Sequence, residues 1–70
     1  MNNSILITVI LPTYNCEKYV KDAVNSILNQ TYSNLEVIII DDCSTDSTLQ
    51  IIKSYQDSRI QLIEKEKNTG

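Results

Sequence analysis

The sequence predicts an α/β fold, an open parallel sheet built in the order β-α-β-α-β. Three observations carry this reading. Residues 37–40 read Val-Ile-Ile-Ile and end in Asp41-Asp42, a β-branched run of the kind found in strands buried on both faces. A second apolar, β-branched run occupies residues 5–11. Between the two, apolar residues recur at helical spacing. Strands that alternate with helices pair in parallel through right-handed crossovers.

Each element follows from local chemistry. Residues 1–4 are polar and expected to fray. The first strand is placed at residues 5–11, and Pro12, which has no N–H for a ladder, is expected to end it. Residues 12–15 form a loop in which Asn15 is a candidate N-cap. The first helix is predicted from residue 16 to about 29, with a core stripe of Cys16, Tyr19, Val20, Ala23, Val24, Ile27 and Leu28. Glu17 falls in its first turn, where an acid suits the helix dipole. A polar connector, residues 30–35, leads to a second strand at 36–40. Ser44 or Thr45 is the expected cap of a second helix, with Asp46 in its first turn and Leu49, Ile52 and Tyr55 facing the core. Asp57-Ser58 turns the chain into a third strand at 60–64. The mixed charges of residues 64–67 read as a solvated loop.

Bulk properties narrow the possibilities. Seventy residues make at most one small domain. A chain this short buries only about 60% of the surface that its unfolded form exposes. There is no His, and Cys16 and Cys43 stand 27 residues apart without a CxxC spacing. A zinc site and a secreted disulfide framework are both disfavoured, and the thiols point to a reducing, cytoplasmic setting. The net charge of −3 comes with scattered Lys and Arg, which does not suit nucleic-acid binding. The run at residues 5–11 is too short to span a bilayer and has no positive region before it.

In the strand order 3-2-1 both helices fall on one face of the sheet, and the other face stays bare. Strands one and two are nevertheless apolar on both faces. An exposed sheet face of this kind is not expected of a finished monomer. The 70 residues are therefore expected to be one half of a larger domain, or to have the bare face covered by a partner, self-association included.

Adjacent parallel strands bring their C-terminal ends to one rim, where open α/β sheets bind ligands. Residues 12–17 and 41–44 become neighbours there. They gather an aromatic ring, three carboxylates and a hydroxyl. The single glycine, Gly70, rules out GxGxxG and GxxxxGK[ST] phosphate loops. Tyr14 has the ring to stack on a nucleobase. Carboxylates match the ring N–H of uracil, the N1–H and N2–H₂ edge of guanine, or ribose hydroxyls. Taken singly, each residue has a plainer reading: Tyr14 as a packing aromatic, Glu17 as a helix-dipole acid, Asp41 or Asp42 as a turn acid.

Three segments in order sharpen the picture. They are residues 7–15 (ITVILPTYN), residues 27–32 (ILNQTY) and residues 35–48 (LEVIIIDDCSTDST). Together they resemble the amino-terminal half of a family 2 glycosyltransferase of the GT-A fold, and the likeness runs from about residue 4 to residue 70. The resemblance implies a Rossmann-like nucleotide-binding half-domain, incomplete in itself and covering residues 1–70, in an enzyme of polysaccharide or glycan biosynthesis. It implies a nucleotide-sugar donor, UDP-, GDP- or dTDP-linked, contacted by Pro12, Thr13, Tyr14, Glu17, Asp41 and especially Asp42, with Ser44 a weaker candidate. Cys43 stands where the family often has Gly or another small residue.

The resemblance also implies what lies elsewhere. The Asp-x-Asp motif that holds Mg²⁺ or Mn²⁺ on the pyrophosphate, the catalytic base and the acceptor site are all expected beyond Gly70. No catalytic residue and no metal ligand is therefore assigned within the chain, which alone is expected to be inactive. In a full-length relative, a base would deprotonate an acceptor hydroxyl on a glycan, lipid or protein while metal stabilises the leaving diphosphate. That protein is expected in the cytoplasm or at the inner face of the membrane.

Two other readings compete. A receiver-like regulatory module would hold Mg²⁺ at an acid pair, but that pair should follow strand one, with a further Asp after strand three, where residues 62–65 (LIEK) offer none. A nucleotidyltransferase would open with a Gly-rich loop after strand one, and residues 12–17 contain no Gly.

Overall fold

The computed structural model describes residues 5–32 and 34–65. The expected frayed start (residues 1–4) and most of the polar tail (66–70) lie outside them. The elements run β1 (Ile7–Thr13), α1 (Val20–Leu28), β2 (Leu35–Asp41), α2 (Thr48–Lys53) and β3 (Ile60–Glu64). The three strands form one parallel sheet in the order β1-β2-β3, as the alternation of elements requires.

Period-2 alternation sorts the side chains. On β2, Leu35, Val37, Ile39 and Asp41 are buried, while Glu36, Ile38 and Ile40 are half-buried. The buried set faces the helices. Val20 and Val24 of α1 and Ile52 of α2 pack with Leu35, Val37 and Ile39 into the core, and Leu11, Ile60 and Leu62 border it. Each such side chain contributes about 1.5–3 kcal/mol on burial. Tyr55, just past the C-cap of α2, donates its hydroxyl to Asn25 Oδ1 at 2.7 Å and so ties that end to α1. On the opposite face Ile10 and Ile63 are exposed, at 62% and 49%. The bare apolar face expected from the sequence is present.

The boundaries differ in instructive ways. β1 begins two residues later than expected and runs through Pro12 to Thr13. Pro12 does not end it, because β1 is an edge strand. Ile7 N donates to Asn34 O and Thr13 O accepts from Asp42 N, so the odd-numbered residues face β2. Pro12 turns its missing N–H to the free edge and no ladder bond is lost. At the other end of the strand, the hydroxyl of Tyr32 and Asn34 Nδ2 both donate to Ile5 O.

α1 starts at Val20 rather than residue 16. Cys16 O accepts from Tyr19 N and Val20 N, both at 2.9 Å, and these bonds form a turn ahead of the helix. Tyr19 (φ −120°) lies outside the helical phase and is 70% exposed, so it is not part of the core stripe. Asn15 does not cap this helix: its φ is 46°, in the left-handed region that Asn tolerates. α2 is capped by neither Ser44 nor Thr45. Ser47 stands at the N-cap without a side-chain cap bond, and Asp46, ahead of the helix rather than in its first turn, accepts from Thr48 N at 2.9 Å and from the Thr48 hydroxyl. Among the described residues no helix is long and apolar enough to cross a membrane.

Candidate functional site

The C-terminal rim of the sheet is held by two loops that clasp each other. Asn15 Oδ1 accepts from Thr45 N at 2.7 Å, and Asn15 N donates to Ser44 Oγ at 2.9 Å. Cys16 N donates to Thr48 Oγ1 at 2.9 Å and Glu17 N to Asp46 Oδ2 at 3.3 Å. Glu17 Oε1 accepts from Ser47 N at 2.8 Å. Every bond joins residues 13–17 to residues 41–48. The clasp needs both loops to bend sharply, and Asn15 (φ 46°) and Cys43 (φ 60°) supply the two left-handed residues. Cys43 adopts there a conformation that favours glycine.

The adjacent acids Asp41 and Asp42 point to opposite faces. Asp41 is fully buried on the helix side. Its Oδ1 accepts from the Thr13 hydroxyl at 2.6 Å and the Ser44 hydroxyl at 2.7 Å, and its Oδ2 from Ser44 N at 2.8 Å. Burial pushes the Asp41 carboxyl up, but the hydrogen bonds from Thr13 and Ser44 outweigh it and hold the group below the usual carboxylate value of 3.8. Asp46 is lowered in the same way: desolvation raises it, and the hydrogen bonds from Thr48 and from the Glu17 backbone prevail.

Asp42 lies on the open face. Thr13, Asp41 and Glu64 are paired across the three strands. One residue further along each strand brings Tyr14, Asp42 and Lys65 to the rim on the other side. With Pro12, Thr13 and Ile40 they line a cavity of about 310 Å³. That is at the small end of ligand pockets, with room for a nucleoside rather than a whole nucleotide-sugar. The Tyr14 ring is 55% exposed and available for stacking. Asp42 Oδ1 is shielded from solvent and has no hydrogen-bond partner. Lys65 Nζ stands 3.6 Å from it, close enough for an ion pair but too long for a hydrogen bond.

Of the residues singled out in the sequence, Pro12, Thr13, Tyr14 and Asp42 meet in the cavity. Asp41, Ser44 and Glu17 are engaged in the clasp behind it. Lys65 was not singled out, because it reads as part of a solvated charge run. Counting in register from the ends of the three strands is the signal that finds it. Among the described residues no three His, Cys, Asp or Glu side chains gather as metal ligands.

Comparisons with known proteins agree with this architecture. The family described as glycosyl transferase family 2 matches residues 8–70. TuaG of Bacillus subtilis, a candidate teichuronic acid biosynthesis glycosyltransferase, is 45% identical over 67 residues, covering 93% of this chain and 27% of its own length. GlyG, a glycosyltransferase of Streptococcus pneumoniae, is 42% identical over 69 residues, covering 96% of this chain and 23% of its own. The chain thus spans about a quarter of the length of these curated relatives.

Solved structures extend the likeness to the fold. The crystal structure of Staphylococcus aureus TarS 1–349 in complex with UDP-GlcNAc superposes with a TM-score of 0.84 at 40% identity, over 94% of this chain and 20% of that one. The mannosyltransferase PcManGT of Pyrobaculum calidifontis, in complex with GDP-Man and Mn²⁺, gives 0.80 at 28% identity, over 99% and 22%. The receiver-like alternative finds no support in these relatives. From the ordered motifs, the parallel three-stranded sheet and the family match over residues 8–70, the chain belongs to glycosyl transferase family 2.

Proposed function

We propose that residues 1–70 form the amino-terminal donor-binding part of a glycosyltransferase that moves a sugar from a nucleotide-sugar to an acceptor hydroxyl. One observation carries this reading. A carboxylate oxygen of Asp42, shielded from solvent and without a hydrogen-bond donor, sits at a cavity bordered by an exposed tyrosine ring. The Asp42 side chain is 35% exposed and bears only part of the cost of that unmet acceptor, and a ligand N–H satisfies it. A nucleobase with a ring N–H meets both features: its plane stacks on Tyr14 and its N–H donates to Asp42. Uracil, thymine and guanine qualify.

Asp41 serves the site without touching the base. It fixes Thr13 and Ser44, and through them the two loops that set Tyr14 and Asp42 one strand apart. Ser44 spends its hydroxyl within the clasp, donating to Asp41 and accepting from Asn15 N. Glu17 holds the start of α2. The related structures in complex with UDP-GlcNAc and with GDP-Man and Mn²⁺ support a nucleotide-sugar donor. A divalent metal on the diphosphate belongs to this reading. Among the described residues no three His, Cys, Asp or Glu side chains gather to ligate it.

Calorimetric titration of the intact protein with UDP, GDP and dTDP in the presence of Mn²⁺ tests the proposal. One of the three is expected to bind, and the folded double variant Tyr14→Ala, Asp42→Ala to bind it at least tenfold more weakly. Equal binding by parent and variant would refute the assignment of the cavity.

A further inference from the structure

Lys65 gives the cavity a second polar contact of the opposite kind. Its ammonium stands 3.6 Å from Asp42 Oδ1, and both side chains line the same wall. At that distance the two groups attract but do not satisfy each other, and Asp42 Oδ1 is left without a hydrogen bond. An exposed ion pair of this geometry is worth at most about 1 kcal/mol, so a ligand displaces it at little cost. The pair offers, side by side, one charged acceptor and one charged donor. A planar ring edge complementary to it must carry an N–H next to a C=O. Uracil, thymine and guanine present that edge. Cytosine and adenine present the reverse, a ring nitrogen that accepts beside an amino group that donates.

Resting on the donor-site reading above, we infer that Lys65 is a specificity-determining residue. It donates to the ring carbonyl beside the N–H that Asp42 accepts, and so selects lactam-edged bases over cytosine and adenine. Register explains why Lys65 has this place: Asp41 pairs with Glu64, and Lys65 N donates to Asp41 O at 2.9 Å, which fixes the backbone of the residue that follows β3. The half-exposed side chain then reaches Asp42 across one inter-strand spacing.

The test is a titration of the intact protein and of Lys65→Met and Lys65→Arg with UDP, dTDP, GDP, CDP, ADP and free uridine, dTDP and thymidine being read as UDP and uridine are. The parent is expected to bind UDP or GDP more than tenfold tighter than CDP or ADP. If UDP is the tight ligand, Lys65→Met should lose about tenfold for UDP and for uridine alike and narrow the preference over CDP, while Lys65→Arg keeps most of both. If GDP is the tight ligand, guanosine replaces uridine in the same comparison. An unchanged base preference in Lys65→Met overturns the inference and leaves the donor-site reading standing. A loss confined to the diphosphate and absent for the nucleoside places Lys65 on the phosphates and also overturns it. If no nucleotide binds the parent, the donor-site reading itself fails.

Discussion

Replacing Asp41 by Ala should destabilise the fold far more than replacing its neighbour Asp42. The Asp41 carboxylate is fully buried and accepts three hydrogen bonds of 2.6–2.8 Å, from the Thr13 hydroxyl, the Ser44 hydroxyl and the Ser44 backbone N–H. Bonds to a charged group contribute about 1.5–3 kcal/mol each when counted singly, and stranded buried donors cost about 1–3 kcal/mol. The three bonds share one carboxylate and do not add, so about 3–4 kcal/mol is the expected loss. Asp42 Oδ1 has no hydrogen bond, and its ion pair with Lys65 is partly exposed, so Asp42→Ala should stay within about 0.5 kcal/mol. Urea unfolding at constant m-value reads both: at about 1–3 kcal/mol per M, the Asp41→Ala midpoint falls by at least about 1 M while that of Asp42→Ala barely moves. Equal shifts, or a larger shift for Asp42→Ala, would refute the division of labour between the two acids.

Other perturbations probe the clasp. Cys43→Gly should raise stability by about 0.5 kcal/mol in a thermal melt, because a side chain at φ 60° costs about 1–2 kcal/mol and the greater freedom of Gly in the unfolded chain returns part of that. Asn15→Ala should cost about 1–2 kcal/mol by the same assay, since it loses both the acceptor for Thr45 N at 2.7 Å and the side chain best suited to φ 46°. The lowered carboxyls of Asp41 and Asp46 set the acid response: their stabilisation is fully present above the unfolded value of 3.8 and is lost as pH falls below it through the lower folded values. Urea midpoints measured across that range should therefore fall with decreasing pH, and less steeply in Asp41→Ala.

Much of this was legible in the sequence, and what was not has identifiable causes. The β-branched run before Asp41 specified a central strand, and alternation with helical stripes specified its parallel neighbours. The bare face followed from strand order alone. Pro12 misled because a proline ends a ladder only where its N–H would point at a partner, and edge position is a tertiary fact. The start of α2 and the role of Asn15 were not legible because the bonds ahead of that helix are accepted by Asp46 and those of Asn15 join residues about 30 apart. Spacing put Tyr19 in the core stripe, but the turn at residues 16–19 shifts its phase outward. Asp41 and Asp42 were legible as a rim pair. Their opposite duties follow from the pleat, which turns one inward and the other outward. Lys65 required the register of the third strand, because composition alone reads residues 64–67 as a charged loop.

A nucleobase is expected at the open-face rim of β1, β2 and β3. Backbone amide chemical shifts of the ¹⁵N-labelled intact protein, recorded during titration with its tightest nucleoside diphosphate, test it most directly. The amides of Thr13, Tyr14, Asp42 and Lys65 should move together with one dissociation constant, while those of Val24 and Ile52 in the helix-side core stay still. Shifts centred on the helices, or none at the four rim residues on saturation, would contradict it.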